Sequence, residues 1–299
     1  TQGYSSAASD VYKRQDYKNP QMTIDFIKRE LPNIDIPYKC VIVVNGSTDD
    51  EVSLIKDKTN GIVISNETPS DNDSLFIISS KENLGFAKGN NLGVQFLQKN
   101  FDCDYLLFTN TDIEIKSKNI ISKMIACLEG DKERGAIGPM VLSRDGSIQL
   151  PHYKPISPYR QIGWNLLSFL KKKKSTPTSI SPLIPQEGFC YWVQGSFFIM
   201  RTSDFMEIDM FDPNTFLYGE EPILAEKLKR IHKRMYFYPK VSILHYEGGT
   251  ILKENTNYRS LYMAMQSNCY YYHKYLGYNP LIILLYRWSF IIHQKFFKK

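Results

Sequence analysis

Short apolar runs that break off in polar, glycine-bearing turns recur through the first part of this chain. Residues 40–44 (Cys-Val-Ile-Val-Val), 75–78 (Leu-Phe-Ile-Ile) and 105–108 (Tyr-Leu-Leu-Phe) are too short for typical helices. They read as buried strands of a parallel sheet. Between them lie helix-spaced stretches. Ile24, Ile27 and Leu31 repeat at helical spacing before Pro32, and Leu92, Phe96 and Leu97 mark a second apolar face. This alternation continues to about residue 130 and predicts an α/β fold with a mostly parallel, Rossmann-like sheet flanked by helices. Each polar turn follows a strand, so the turns should gather on one sheet edge. Ligands bind at that edge in open α/β sheets.

The third run ends in Thr109-Asn110-Thr111-Asp112. A carboxylate at such a strand end is placed to hold a metal, and the metal to hold a phosphate. The same residues also serve as ordinary turn formers, so other segments must converge on them before the reading gains weight.

Composition sets the bounds. The chain has 299 residues, 42% of them apolar and 23% charged, enough for one large domain and a sizeable core. The net charge of +6 suits anionic partners without choosing among them. No organised basic-aromatic motif for nucleic acid is present. The five cysteines (Cys40, Cys103, Cys127, Cys190, Cys269) are scattered, odd in number and without a CxxC, as expected of reduced thiols. No apolar run reaches spanning length. Residues 281–292 come nearest, interrupted by Arg287 and Trp288. Two readings stand for them: a helix lying in a membrane interface, and a helix buried on its own domain.

Residues 1–15 are small and polar without periodicity. Residues 5–15 resemble a translated sequencing adapter, and 1–15 are set aside as non-native, with a first strand of the sheet expected to be missing. Residues 138–142 and 147–150 read as strands around Asp145-Gly146. Residues 151–188 read as a surface loop around a helix near Trp164. Residues 191–200 read as one strand, 223–231 as a helix, and 236–238 with 241–244 as strands leading to His245. From residue 257 the tail reads as helical, broken at Gly277 to Pro280.

Six segments in order then resemble a known family. They are Asn45-Gly46-Ser47-Thr48-Asp49, Asn83-Leu84-Gly85-Phe86-Ala87-Lys88-Gly89-Asn90-Asn91, Thr109-Asn110-Thr111-Asp112, Trp192-Val193-Gln194-Gly195-Ser196, Phe216-Leu217-Tyr218-Gly219-Glu220-Glu221, and Pro239 through His245. Together they resemble a family 2 glycosyltransferase of the GT-A fold, in the rhamnosyltransferase-like branch. The resemblance spans residues 16–250, with 251–299 as a C-terminal helical, membrane-associating tail.

The resemblance implies an inverting, metal-dependent sugar transferase of surface polysaccharide synthesis. It would use a dTDP- or UDP-sugar donor and a glycan or lipid-linked acceptor. Its place would be the cytoplasm, peripheral on the inner face of the plasma membrane. A divalent cation (Mn2+ or Mg2+) would neutralise charge on the diphosphate leaving group. Asp112 and His245 are the implied metal ligands, with Asn110 where the family's metal motif often carries an acid. Glu221 is the implied general base, beside Glu220, and two adjacent carboxylates can raise each other's pKa. Both also suit a helix N-terminus for purely structural reasons. Tyr17, Asn45, Gly46, Ser47, Asn83, Gly85, Asn90 and Asn110 would border the nucleotide. Trp192, Gln194 and Gly195 would floor the donor or acceptor pocket, although a core position is commoner for Trp. The sequence departs from the family at three places. Only Tyr17-Lys18-Asn19 remains of the usual first strand end, Val44 stands where a base-reading Asp is frequent, and Glu220-Glu221 replaces Glu-Asp.

Two other readings compete. A sugar-nucleotide nucleotidyltransferase would need a Gly-rich, cationic loop after the first strand, and the segment 220–245 argues against it. A non-catalytic nucleotide- or carbohydrate-binding module would bind without turnover.

Overall fold

A computed structural model describes residues 9–13, 19–46, 48–64, 69–167, 186–246 and 257–296. Strand β1 (Ser9–Lys13) comes first. Helix α1 (Pro20–Arg29) begins earlier than the apolar spacing alone predicts, because Asn19 caps Met22 N and Pro20 takes the first turn. Pro32 sits in a 3-10 turn, Leu31–Asn33, that ends it. Then come β2 (Tyr38–Asn45), α2 (Asp49–Thr59), β3 (Ile62–Val63) and β4 (Leu75–Ser80). Helix α2 starts on a capping box in which Thr48 and Glu51 satisfy each other's backbone N–H. Helix α3 (Gly85–Asn100), β5 (Tyr105–Thr109), β6 (Ile113–Ile115), α4 (Ile120–Glu129), β7 (Arg134–Ser143) and β8 (Ile148–Gln149) follow. The chain continues through α5 (Pro158–Leu167), β9 (Gly188–Cys190), β10 (Phe197–Arg201), α6 (Thr202–Glu207), α7 (Glu220–Arg230) and β11 (Arg234–His245). It closes with α8 (Asn257–Lys274) and α9 (Pro280–Phe296).

The strands form one sheet in the order β3-β4-β2-β1-β5-β10-β7-β11-β6, with β8 on β7 and β9 on β11. The stretch from β3 to β5 is parallel, as is β7 with β11, whereas β10 is antiparallel to both β5 and β7. The strand ends at Asn45, Ser80, Thr109 and His245 therefore share one edge with the start of β10. Residues 1–15 were set aside, yet β1 lies between β2 and β5, with Val11 opposite Cys40 and Leu107. Backbone pairing by residues 9–13 therefore occupies the first-strand position of the sheet.

Apolar side chains pack on both faces of the sheet. Phe76, Phe108, Phe198, Phe205 and Phe211 belong to one layer, and Ile42, Leu107, Ile137, Ile199 and Ile243 to the other. Continuous apolar strands follow from burial on both sides. The single strand expected over 191–200 is shorter: β10 takes only its second half, and Trp192 forms an isolated antiparallel bridge with His152. The two short strands expected over 236–244 are one strand with a register shift between Tyr238 and Ser242, where Pro239 lacks a ladder N–H. Both tail helices form, and Met265, Tyr271, Tyr272, Tyr286 and Phe290 enter the first layer.

Candidate active site

Asp112 and His245 come together because of β6, a strand too short to stand out in the sequence. It pairs antiparallel with the end of β11, setting Ile113 opposite His245, and Tyr246 N donates to Asp112 O at 2.8 Å. Asp112 Oδ1 then lies 3.3 Å from His245 Nε2. Asn110 Nδ2 also lies 3.3 Å from that nitrogen, and Gln149 Nε2 lies 3.4 Å from His245 Nδ1. Gln149, on β8, went unnoticed in the sequence, since nothing marks a glutamine in a two-residue strand as a neighbour of a histidine 96 positions away.

Among the described residues no three His, Cys, Asp or Glu side chains gather as a metal cluster. Asp112 and His245 are two such side chains, with the Asn110 amide next to His245. Adjacent ligands of an octahedral cation stand about 3 Å apart, which matches the Asp112–His245 separation. Asn110 Oδ1 is buried with no hydrogen-bond partner. The Asp112 carboxylate, the His245 imidazole and the Asn110 amide together have the donor chemistry that fits a hard divalent cation.

Glu221 reaches the same edge from the other side. Helix α7 starts at Glu220 after Gly219, whose φ of 86° suits glycine. Both glutamates occupy the first turn, where the helix dipole favours carboxylates. They do not share an environment: Glu220 is buried and Glu221 is half-buried. Glu221 Oε1 lies so close to Gly195 that a Cβ there would overlap it. The next residue, Ser196, accepts a hydrogen bond from Asn110 N at 2.9 Å. One dipeptide thus links the proposed base to the Asp112–His245 cluster.

Several residues expected to line the nucleotide are bonded into the fold. Asn45 is fully buried, accepting from Leu84 N at 2.7 Å and donating to Gly85 O at 3.3 Å. Asn83 Oδ1 accepts from Gly85 N, and Phe86 N donates to Phe216 O at 2.9 Å. The first N–H groups of α3 are therefore occupied by protein and do not form an open phosphate cradle. Gly85, with φ of 78°, is required because a Cβ would overlap the Phe216 carbonyl. Asn90 is buried and donates back to Phe86 O at 2.8 Å. Gly46, with φ of 74°, packs against Asn83. Trp192 is buried in the core, stacked on His152 with ring centroids 4.1 Å apart, so that face offers no pocket floor. Burial in turn lowers the His152 pKa. Gln194 Nε2 donates to Leu150 O at 2.9 Å. Tyr17 and Ser47 lie outside the described residues.

The tail is wired into this region. Ser267 of α8 donates to Leu217 O at 2.9 Å, and a Cβ on Gly219 would stand 3.3 Å from Ser267 Cβ. Asp212, buried ahead of the same loop, accepts from Tyr270 at 2.7 Å, Tyr275 at 2.5 Å, and both nitrogens of Asn214. Burial pushes the Asp212 pKa up, but these hydrogen bonds outweigh it and hold the carboxyl below its ordinary value.

The fold is that of GT-A glycosyltransferases. The mannosyltransferase PcManGT from Pyrobaculum calidifontis, solved with GDP-Man and Mn2+, superposes with a TM-score of 0.57 at 12% identity, covering 97% of this chain and 74% of that one. Rhamnosyltransferase WbbL of Escherichia coli (strain K12) is 28% identical over 170 residues, 54% of this chain and 61% of that protein. N-acetylglucosaminyl-diphospho-decaprenol L-rhamnosyltransferase of Mycobacterium tuberculosis (strain CDC 1551 / Oshkosh) is 24% identical over 152 residues, 48% of each. The matches thus span 61% and 48% of the length of these two relatives. The profile described as glycosyl transferase family 2 matches residues 17–186, more than half of the sequence, and the chain belongs to that family.

Proposed function

We propose that the protein is an inverting glycosyltransferase moving a sugar, rhamnose or a related hexose, from a dTDP- or UDP-sugar to a glycan or lipid-linked acceptor of surface polysaccharide synthesis. The observation that carries this reading is two runs of contacts on one sheet edge. One goes from Asn45 through Gly85 to Phe216, and the other from Glu221 through Gly195-Ser196 to Asn110, His245 and Asp112.

Asp112 and His245 would hold a divalent cation, with the Asn110 amide oxygen completing the protein's share. A cation bound there offsets the charge on the departing diphosphate. Gln149 steadies the His245 ring through Nδ1. Glu221 takes the proton of the acceptor hydroxyl at its carboxylate as that oxygen attacks the anomeric carbon on the face opposite the nucleotide. Glu220, buried at the helix start, positions Glu221. The relatives' names support rhamnose and a lipid-diphosphate acceptor for this chain. A peripheral site on the inner membrane face suits such an acceptor.

The test is a screen of nucleotide sugars with Mn2+, using a chain in which a native first strand replaces residues 1–15. Donor hydrolysis or transfer is expected, and Glu221→Gln should abolish turnover while donor affinity stays within about threefold. Inactivity with every donor would overturn the enzyme reading. Loss of donor binding in Glu221→Gln would show that Glu221 is not the base.

A further inference from the structure

The C-terminal helix, for which the sequence left a membrane-interface reading and a buried reading open, has one buried and one exposed face. One face of α9 is buried through Tyr286, Ser289, Phe290 and His293. The other presents Leu281, Leu284, Leu285, Trp288 and Ile291 to solvent, with Leu281 66% and Trp288 64% exposed. These positions recur every three or four residues, so they form one stripe. Helix α5 lies alongside. Tyr159 packs on Tyr278 at one end, Asn165 Nδ2 donates to Ser289 Oγ at 3.0 Å, and Trp164 meets His293 at the other end. Trp164 and Leu167 remain 52% and 53% exposed. Soluble monomers seldom leave so many large apolar side chains uncovered on neighbouring helices.

Charge decides what covers them. Neither α5 nor α9 contains an Asp or Glu, while Arg160, Arg287 and Lys295 are exposed on the pair. A second copy of this chain docked on the same face would bring these cations near their own equivalents with no acid from either helix to meet them. An anionic bilayer surface offers apolar depth for the Leu and Trp side chains and negative headgroups for Arg and Lys. The 17 residues of α9 extend only about 26 Å. Among the described residues no helix is long and apolar enough to cross a membrane.

We infer that α5 and α9 together form the surface by which the protein lies on an anionic lipid bilayer, with the two exposed tryptophans at the headgroup level. The inference rests on the reading of the protein as membrane-peripheral and names the surface responsible. Because α8 joins α9 to the 212–219 loop through Asp212 and Ser267, docking would fix the membrane's orientation relative to Glu221.

The experiment is co-sedimentation of the full chain with vesicles of phosphatidylcholine alone and of equimolar phosphatidylcholine and phosphatidylglycerol. Tryptophan emission is followed in parallel, since Trp192 is buried and Trp164 and Trp288 report on the surface. Binding to the anionic vesicles with a blue shift is expected, and weak binding to the neutral ones. Leu284→Glu with Trp288→Glu should weaken anionic-vesicle binding at least about tenfold. Arg287→Gln should weaken it only on anionic vesicles. If the glutamate variant does not fold, Trp288→Phe with Trp164→Phe keeps the surface apolar and must remove the blue shift. A wild-type chain that binds no vesicles would refute membrane association itself. Binding that persists in the glutamate variant, or a blue shift that survives loss of both surface tryptophans, would refute this surface alone. A wild-type dimer that the glutamate variant converts to monomer, without vesicle binding, would assign the face to self-association.

Discussion

Replacing Asp212 by Asn tests how the tail is held to the sheet domain. The carboxylate is 8% exposed and accepts from two tyrosine hydroxyls and from Asn214. Hydrogen bonds to a charged acceptor contribute about 1.5–3 kcal/mol and those to a neutral one about 0.5–1.5. Asparagine keeps the shape and one acceptor but loses the charge, so each tyrosine bond weakens by about 1 kcal/mol. The sum is about 2 kcal/mol, a shift of roughly thirtyfold in the unfolding equilibrium. Because Met265, Tyr271 and Tyr272 of α8 belong to the domain's core, the loss should register in global urea unfolding at pH 7. The pH dependence supplies an independent check. The folded carboxyl titrates below its ordinary value, so its stabilisation is complete above the unfolded pKa of about 3.9 and disappears as pH falls through the folded one. The gap between wild type and Asp212→Asn should be constant above about pH 5 and shrink below about pH 4. A variant within about 0.5 kcal/mol of wild type at pH 7, or a gap that stays constant into acid, would show that this carboxylate does not anchor the tail.

Three further substitutions probe the sheet edge. Gly195→Ala places a methyl group on Glu221 Oε1. Turnover should fall about a hundredfold with donor affinity retained, measured by steady-state kinetics beside nucleotide titration. Gly85→Ala combines a left-handed φ of 78° with overlap on the Phe216 carbonyl. It should cost about 2–5 kcal/mol in denaturant unfolding. Asp112→Ala should erase the difference between nucleotide affinities measured with Mn2+ and with chelator, and a difference that persists would put the metal elsewhere.

The sheet was readable because its strands are locally apolar and end in turn chemistry. Residues 40–44, 75–78 and 105–108 fall inside β2, β4 and β5. The pairing of Asp112 with His245 came from the family resemblance, and the register of β6 is its physical cause. What escaped reading has a common character. An amide side chain satisfies a backbone carbonyl as well as it satisfies a ligand, so Asn45, Asn83 and Asn90 gave no sign that their partners are α3 and its approach. Trp192 looked like a sugar platform and is core, since nothing local announces His152 as its stacking partner. Asp212 meets Tyr270 and Tyr275 across 58 and 63 residues, a distance over which no local pattern operates.

The reversed direction of β10 carries one more consequence. The other segments at this edge are loops that leave parallel strands, and their positions depend on hydrogen bonds such as those of Asn45 and Phe86. Gly195 and Ser196 instead lead into a strand anchored between β5 and β7. Glu221 and Asn110 are consequently spaced by one Gly-Ser step at the head of a paired strand, through the Glu221–Gly195 contact and the Asn110 N to Ser196 O hydrogen bond. Under the proposed roles, that arrangement would set the spacing between the base at Glu221 and the cation ligands independently of the loops that would differ with the sugar or acceptor.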